Sequence, residues 1–170
     1  KDNLINIEGL SFDGNDLLSF KKIEVSTNNN DFFAQFYDNL KPDLELGALL
    51  KQSQHNYVFT NGNENHMDLC LKKMRIKSQF NHTISSDQYN GQYKPHMSVY
   101  LLATERFNLR QSDDIFFFED APENLKTAKK LGWTTIFLDH SHMIKNKPQY
   151  MDYVFDNIYD AINLSYNRNK

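Results

Sequence analysis

Glu119 and Asp120 stand side by side directly after the apolar run Ile115-Phe116-Phe117-Phe118. Adjacent carboxylates repel unless a cation lies between them, and a hard, oxygen-preferring ion such as Mg²⁺ suits such a pair. The same residues also fit plain helix capping, with Asp120 as the cap, Pro122 in the first turn and Glu119 as a surface neighbour. A second group is Thr60-Asn61-Gly62: a hydroxyl, an amide and a glycine that follow the strand-like Tyr57-Val58-Phe59. The N–H groups and dipole of a helix starting there favour phosphate or another anion, although an unliganded turn uses the same residue types. Lys94, just before Pro95, lies between these two groups in the chain and adds a positive charge. His140 and His142 have a spacing open to metal, but no third ligand accompanies them and a polar loop accounts for them. Cys70 falls on the apolar side of a helix and reads as a small buried residue, not a nucleophile.

These groups need elements to hold them. Ile115–Phe118 has the continuous apolar character of a strand buried on both faces. The helix after it carries Leu125, Ala128 and Leu131 on one side, lysines in its later turns, and Gly132 as a stop. Tyr57–Thr60 predicts another strand, followed by a helix with Met67, Cys70, Leu71 and Met74 in register. Thr83–Ser86 predicts a short strand, and Lys94-Pro95 opens a helix through Val99, Leu102, Ala103 and Phe107. Thr134–Leu138 and Tyr153–Phe155 predict two more strands, and Asp160–Leu164 a terminal helical turn. Nearer the start, Leu4–Phe12 could be a strand interrupted by Gly9, residues 21–31 a loop around Asn28-Asn29-Asn30, and Phe32–Leu40 a helix. Strands alternating with helices of this length imply an α/β fold with a mostly parallel sheet between helical layers, where ligands bind beyond the carboxyl ends of the strands.

At 170 residues the chain reads as one domain with enough length for a real core. Its 19 Lys and Arg against 22 Asp and Glu leave a net charge of −3, which argues against a nucleic-acid binder. Thirteen Phe and nine Tyr exclude a disordered chain. One cysteine excludes an internal disulfide framework and points to an intracellular, reducing compartment. No apolar run reaches the roughly 20 residues of a membrane span, and no signal-peptide pattern is visible.

Three segments in this order, Phe59-Thr60-Asn61-Gly62-Asn63, Tyr93-Lys94-Pro95 and Phe117-Phe118-Glu119-Asp120-Ala121-Pro122-Glu123-Asn124 with Ala128 and Gly132, resemble the haloacid dehalogenase (HAD) superfamily of phosphohydrolases. More narrowly they resemble its pyrimidine 5′-nucleotidase-like branch. The resemblance runs from about Leu40 to about Leu164 and is most specific from Phe118 to Gly132 and in Asp152–Asp156. It implies a three-layer α/β sandwich with a Rossmann-like, HAD-type sheet in a single domain, 1–170, with 19–50 a reduced cap or linker and 51–170 the core. It implies Thr60, Asn61 and Lys94 on the phosphate, Thr60 and Lys94 in catalysis, and Glu119 and Asp120 on Mg²⁺. The substrate would be a nucleotide or other small phosphorylated metabolite, hydrolysed through an aspartyl-phosphate intermediate.

The family nucleophile is the first Asp of an Asp-x-Asp-x-Thr motif, and this chain has no such motif. Aligned on Phe12-Asp13-Gly14-Asn15-Asp16, the resemblance makes Asp13 the nucleophile and a third metal ligand, with Asn15 in place of the general acid. Two arrangements are open. The first strand and its Asp could lie upstream of Lys1, or Leu4–Asp13 could be that strand, with the cap nearly lost and the site decayed. A chain lacking its central strand would bury unpaired backbone, which favours the second. The alternative to a phosphatase is then a catalytically inactive HAD-fold protein, a structural subunit or phosphate-ligand binder in a larger assembly.

Overall fold

The computed structural model describes residues 2–5, 37–111, 113–140 and 142–167. Six strands form one sheet: β1 (Asp2–Ile5), β2 (His55–Phe59), β3 (His82–Ile84), β4 (Ile115–Glu119), β5 (Thr134–Leu138) and β6 (Tyr153–Phe155). Their order is β3-β2-β1-β4-β5-β6, and every neighbouring pair is parallel. The central strand therefore belongs to this chain and does not lie upstream of it. It starts earlier than the apolar pattern suggests, at Asp2, and its described part ends at Ile5. Asp2 and Asn3 are poor strand formers on intrinsic preference. Asn3 is nevertheless fully buried, with its amide donating to Ser53 Oγ at 2.9 Å and to Asn56 Oδ1 at 3.2 Å.

Among the described residues, the helices on the two faces include α1 (Leu44–Leu50), α2 (Glu64–Lys73), α3 (Met97–Arg106), α4 (Pro122–Lys130) and α5 (Ile158–Asn167). The period of two in β4 decides which core each ring enters. Phe117 joins Val99, Tyr100 and Ala103 of α3 and Leu125 and Ala128 of α4 on one face. Phe116 and Phe118 join Leu46 and Leu50 of α1, Met67 and Leu71 of α2, and Ile158 and Ile162 of α5 on the other. The result is the three-layer, Rossmann-like α/β sandwich expected for a HAD-type fold. Cys70 is buried within α2.

Three local expectations change. Asp120 does not cap α4: the cap position is Ala121, without a side-chain bond, and the Glu119 carboxylate accepts from the N–H groups of Asp120 and Ala121 just before the helix. Helix α3 begins at Met97 with His96 as its cap, so Lys94-Pro95 precedes the helix and belongs to the loop after β3. The terminal helical turn is a full helix of 10 residues. Gly132 ends the α4 segment as expected, at φ +82°, where a Cβ would be strained. Of the stretch assigned to a reduced cap, 19–36 lies outside the described residues, and α1 packs against α5. Among the described residues no helix is long and apolar enough to cross a membrane.

Candidate active site at the carboxyl ends of the strands

The sheet brings Thr60, Lys94 and Glu119-Asp120 to one rim. Thr60 directly follows β2 and is fully buried. Its N–H donates to Ile84 O at 3.2 Å, and its hydroxyl oxygen accepts from Gly62 N at 3.0 Å, leaving the hydroxyl proton for another acceptor. Asn61 turns its amide onto the main chain of Lys94, accepting from Lys94 N at 2.9 Å and donating to Lys94 O at 3.1 Å. Asn63 caps α2 by accepting from His66 N at 2.8 Å.

Lys94 reaches back over the rim. Its ammonium donates to Phe59 O at 2.8 Å, at the end of β2, and to Glu119 Oε2 at 2.7 Å, at the end of β4. Because β1 lies between those two strands, an ammonium that touches both sits across the carboxyl end of β1. The Lys94 and Glu119 side chains are 1% and 0% exposed. The faces of Phe59 and Phe117 stand 4.9 and 5.3 Å from the ammonium, so aromatic quadrupoles add to its stabilisation.

Both Glu119 oxygens accept hydrogen bonds. Oε1 takes the N–H groups of Asp120 and Ala121, both at 3.0 Å, and Oε2 takes Lys94 and, at 3.0 Å, the Asn124 amide. Burial pushes the Glu119 carboxyl up. The Lys94 charge and the hydrogen bonds from Asp120, Lys94 and Ala121 outweigh that and hold it below the usual carboxylate range. Glu119 is therefore an ionised acid that fixes Lys94. Asp120, half-buried and next in the chain, is the described carboxylate at the rim best suited to a cation. Mg²⁺ is commonly held by one or two carboxylates plus substrate phosphate and water, and an Asp oxygen fits that chemistry. Asp13, the other proposed ligand and the proposed nucleophile, lies outside the described residues, as does Asn15.

Two residues of the site carried no sequence signal of their own. Asn124 is buried one turn into α4, and Tyr100 of α3 donates to its carbonyl at 2.6 Å. Thr127 of α4 donates to Pro95 O at 2.7 Å and ties the Lys94 loop to the same helix. In the stretch read as a polar loop, Asp139 is the anchor: its carboxylate accepts from Met143 N at 2.9 Å and Ile144 N at 2.8 Å. Among the described residues no group of three or more His, Cys, Asp or Glu could hold a metal.

This fold agrees with what comparison with known proteins shows. The sequence profile of the haloacid dehalogenase-like hydrolases matches residues 12–138, most of the chain. The chain belongs to that family. Among solved structures it resembles the β-phosphoglucomutase-type protein of Thermotoga maritima (TM-score 0.71, 14% identity, covering 98% of this chain and 98% of that one). It also resembles the HAD-hydrolase YfnB of Bacillus subtilis, described as bound to magnesium (TM-score 0.71, 13% identity, 96% and 97% covered). The L-2-haloacid dehalogenase of Xanthobacter autotrophicus is similar too (TM-score 0.63, 18% identity, 88% and 71% covered). At such identities the likeness is one of fold.

Proposed function

We propose that this chain binds a small phosphate monoester, a nucleotide or other phosphorylated metabolite, at the Thr60–Lys94–Asp120 rim, and that hydrolysis through an aspartyl-phosphate is weak or lost. One observation carries this reading: the register of the central strand. Ile5 lies beside Val58 and Phe118, so Thr60 is two residues past the paired position on one side and Asp120 two past it on the other. A nucleophile on the same rim would follow Ile5 by one or two residues. In the sequence Ile5 is followed by Asn6 and Ile7, and Asp13 comes eight residues after Ile5. An amide is a poor nucleophile, and general acid–base help, itself typically worth about 10²–10⁴-fold, has no obvious donor in Asn15.

What remains suits binding. Lys94 supplies a buried positive charge and Thr60 a hydroxyl, elements that compensate charge on phosphoryl oxygens. Mg²⁺, held by Asp120, would neutralise further phosphate charge when bound.

A second reading, Mg²⁺-dependent phosphatase action through Asp13, is favoured by the family match opening at residue 12, which takes in Asp13 together with Thr60, Lys94, Glu119 and Asp120. Calorimetric titration with nucleoside monophosphates and inorganic phosphate, with and without Mg²⁺, beside hydrolysis assays of the parent, Asp13→Asn and Asp120→Asn, separates the two. Binding that Mg²⁺ strengthens and Asp120→Asn weakens, without turnover, is the expected result. Mg²⁺-dependent turnover that disappears in Asp13→Asn would establish the phosphatase. Neither binding nor turnover would overturn both.

A further inference from the structure

The loop that carries Lys94 is tied from outside at two adjacent residues: Thr127 donates to Pro95 O at 2.7 Å, and Asn61 holds the main chain of Lys94 itself. Asn61 accepts from Lys94 N at 2.9 Å and donates to Lys94 O at 3.1 Å, so a single amide reads both backbone polar groups of one residue. That pairing imitates one rung of a strand ladder, at the point where β2 has ended and no strand continues. The residue two places earlier adds a third tie, since Phe59 O accepts from the Lys94 ammonium at 2.8 Å. Lys94 is therefore joined to the end of β2 through its N–H, its carbonyl and its side chain, and to β4 through its side chain only, on Glu119 and the Phe117 ring.

We infer that Asn61 is a positioning residue: it acts through the main chain of Lys94, fixing where the ammonium stands, and not by contact with the phosphate. The inference rests on the phosphate-site reading only for its effect on ligand affinity; the placement of Lys94 is independent of any ligand. The residue type follows from the geometry. Asp would keep the bond from Lys94 N but set a carboxylate oxygen against Lys94 O. Ser or Ala would lose one or both bonds. Only a primary amide offers an acceptor and a donor on one planar group of this reach.

The rings around Lys94 make the test direct. With Phe59 and Phe117 at 4.9 and 5.3 Å from the ammonium, ring currents displace the Lys94 ε-methylene resonance from those of exposed lysines. In protein labelled at lysine Cε, with Lys94 assigned through bonds from its amide, Asn61→Ala is expected to move that resonance toward the exposed-lysine position. Asn61→Asp is expected to move it part of the way, and it serves alone if Asn61→Ala fails to fold. The other lysine resonances should hold still, which a general loosening would not allow. Titration with inorganic phosphate should be roughly tenfold weaker in Asn61→Ala, the cost of about two lost neutral hydrogen bonds on the group that holds the cation. A Lys94 resonance unmoved in a folded variant overturns the inference. So does weaker phosphate binding with an unmoved resonance, which would put Asn61 on the ligand itself. A moved resonance in a protein that takes no phosphate sustains the positioning role and removes the phosphate reading instead.

Discussion

Lys94 and Glu119 meet at 2.7 Å with neither side chain more than 1% exposed. They come from different connections of the fold, the loop after β3 and the end of β4, and they close over the carboxyl end of β1. Burying two charges costs several kcal/mol per ion, and the mutual attraction offsets this only when the remaining polar atoms are also bonded. Here they are, through Phe59 O, Asn124 and two main-chain N–H groups. Lys94→Met leaves a buried carboxylate without its cation, and Glu119→Gln leaves a buried ammonium without its anion. Each is expected to cost about 3–5 kcal/mol in urea unfolding. The double variant should cost clearly less than the sum, because no lone charge remains. Additive costs would show that the two groups are not coupled.

The pH dependence follows from the direction of the Glu119 shift. Its folded-state carboxyl lies below the usual range, so the folded protein holds that proton less tightly than the unfolded chain does. The stabilisation is fully present above the unfolded Glu value of about 4.3 and is lost as pH falls through the folded value. Unfolding free energy should therefore fall with acidification below about pH 4.5 in the parent. Glu119→Gln should flatten the part of that slope due to this residue. A parent and variant with parallel slopes would mean that Glu119 is not the titrating group.

The sheet was legible in the sequence because β2, β4 and β5 are apolar runs with turn residues after them, and those runs bury almost completely. Rim residues were legible because each directly follows or precedes such punctuation: Thr60 after a strand, Lys94 before a proline, Glu119-Asp120 before a helix. The central strand was not. Its buried Asn3 is paid for by partners 50 and 53 residues away, which no local pattern shows. Asn124 was hidden for the opposite reason: a polar residue in the first turn of a helix normally faces water, and only the fold turns it onto Glu119. The doubled role of the acid pair was hidden too. Adjacent carboxylates suggest a shared cation, but the first of them is bonded by Lys94, Asn124 and the start of α4.

Asn124 offers a test of that bonding. Its amide donates to Glu119 Oε2 at 3.0 Å inside the core. Asn124→Asp keeps the shape and replaces a donor with a second carboxylate beside the first. At pH 7 the variant is expected to be less stable than Asn124→Ala, since like charges at such range repel and neither is solvated. Lowering the pH toward 5 should narrow the gap, because one of the two carboxyls then takes a proton and donates to the other. Thermal unfolding at both pH values measures this. Equal stability of the two variants at pH 7 would show that Asn124 does not face the carboxylate.

The hydroxyl of Tyr100 acts one step further out. It is fully buried and donates to Asn124 O at 2.6 Å, and burial, followed by the Glu119 and Tyr89 charges, pushes its ionisation far above the ordinary tyrosine value. Tyr100 is therefore a neutral donor at any working pH. Tyr100→Phe preserves the ring packed against Phe59 and Phe117 and removes one bond. About 1 kcal/mol of stability should be lost, with no change in the pH slope. A loss of several kcal/mol would mean that the hydroxyl holds the α4 start, and with it Glu119, in place.

The placement of β1 can be tested away from the rim. Asn56 of β2 stands opposite Asn3 in the register and is 3% exposed. Its amide nitrogen donates to Leu50 O at 2.8 Å and Gln79 O at 3.0 Å, while its oxygen accepts from Asn3. Three segments thus meet on one side chain: β1, the end of α1 and the 3₁₀ turn before β3. Asn56→Ala removes three hydrogen bonds at once, although Leu50 O keeps Ser53 N and the Asn3 amide keeps Ser53 Oγ, and should cost about 2–3 kcal/mol. Asn3→Ala removes only the β1 side of the cluster, and Asn3 Oδ1 has no bond to lose. It should therefore cost less, and in the Asn56→Ala background its added cost should shrink further because its partner is already gone. Urea unfolding of the two singles and the double supplies the cycle. A full additive cost for Asn3→Ala in that background would mean that Asp2–Ile5 does not lie against β2.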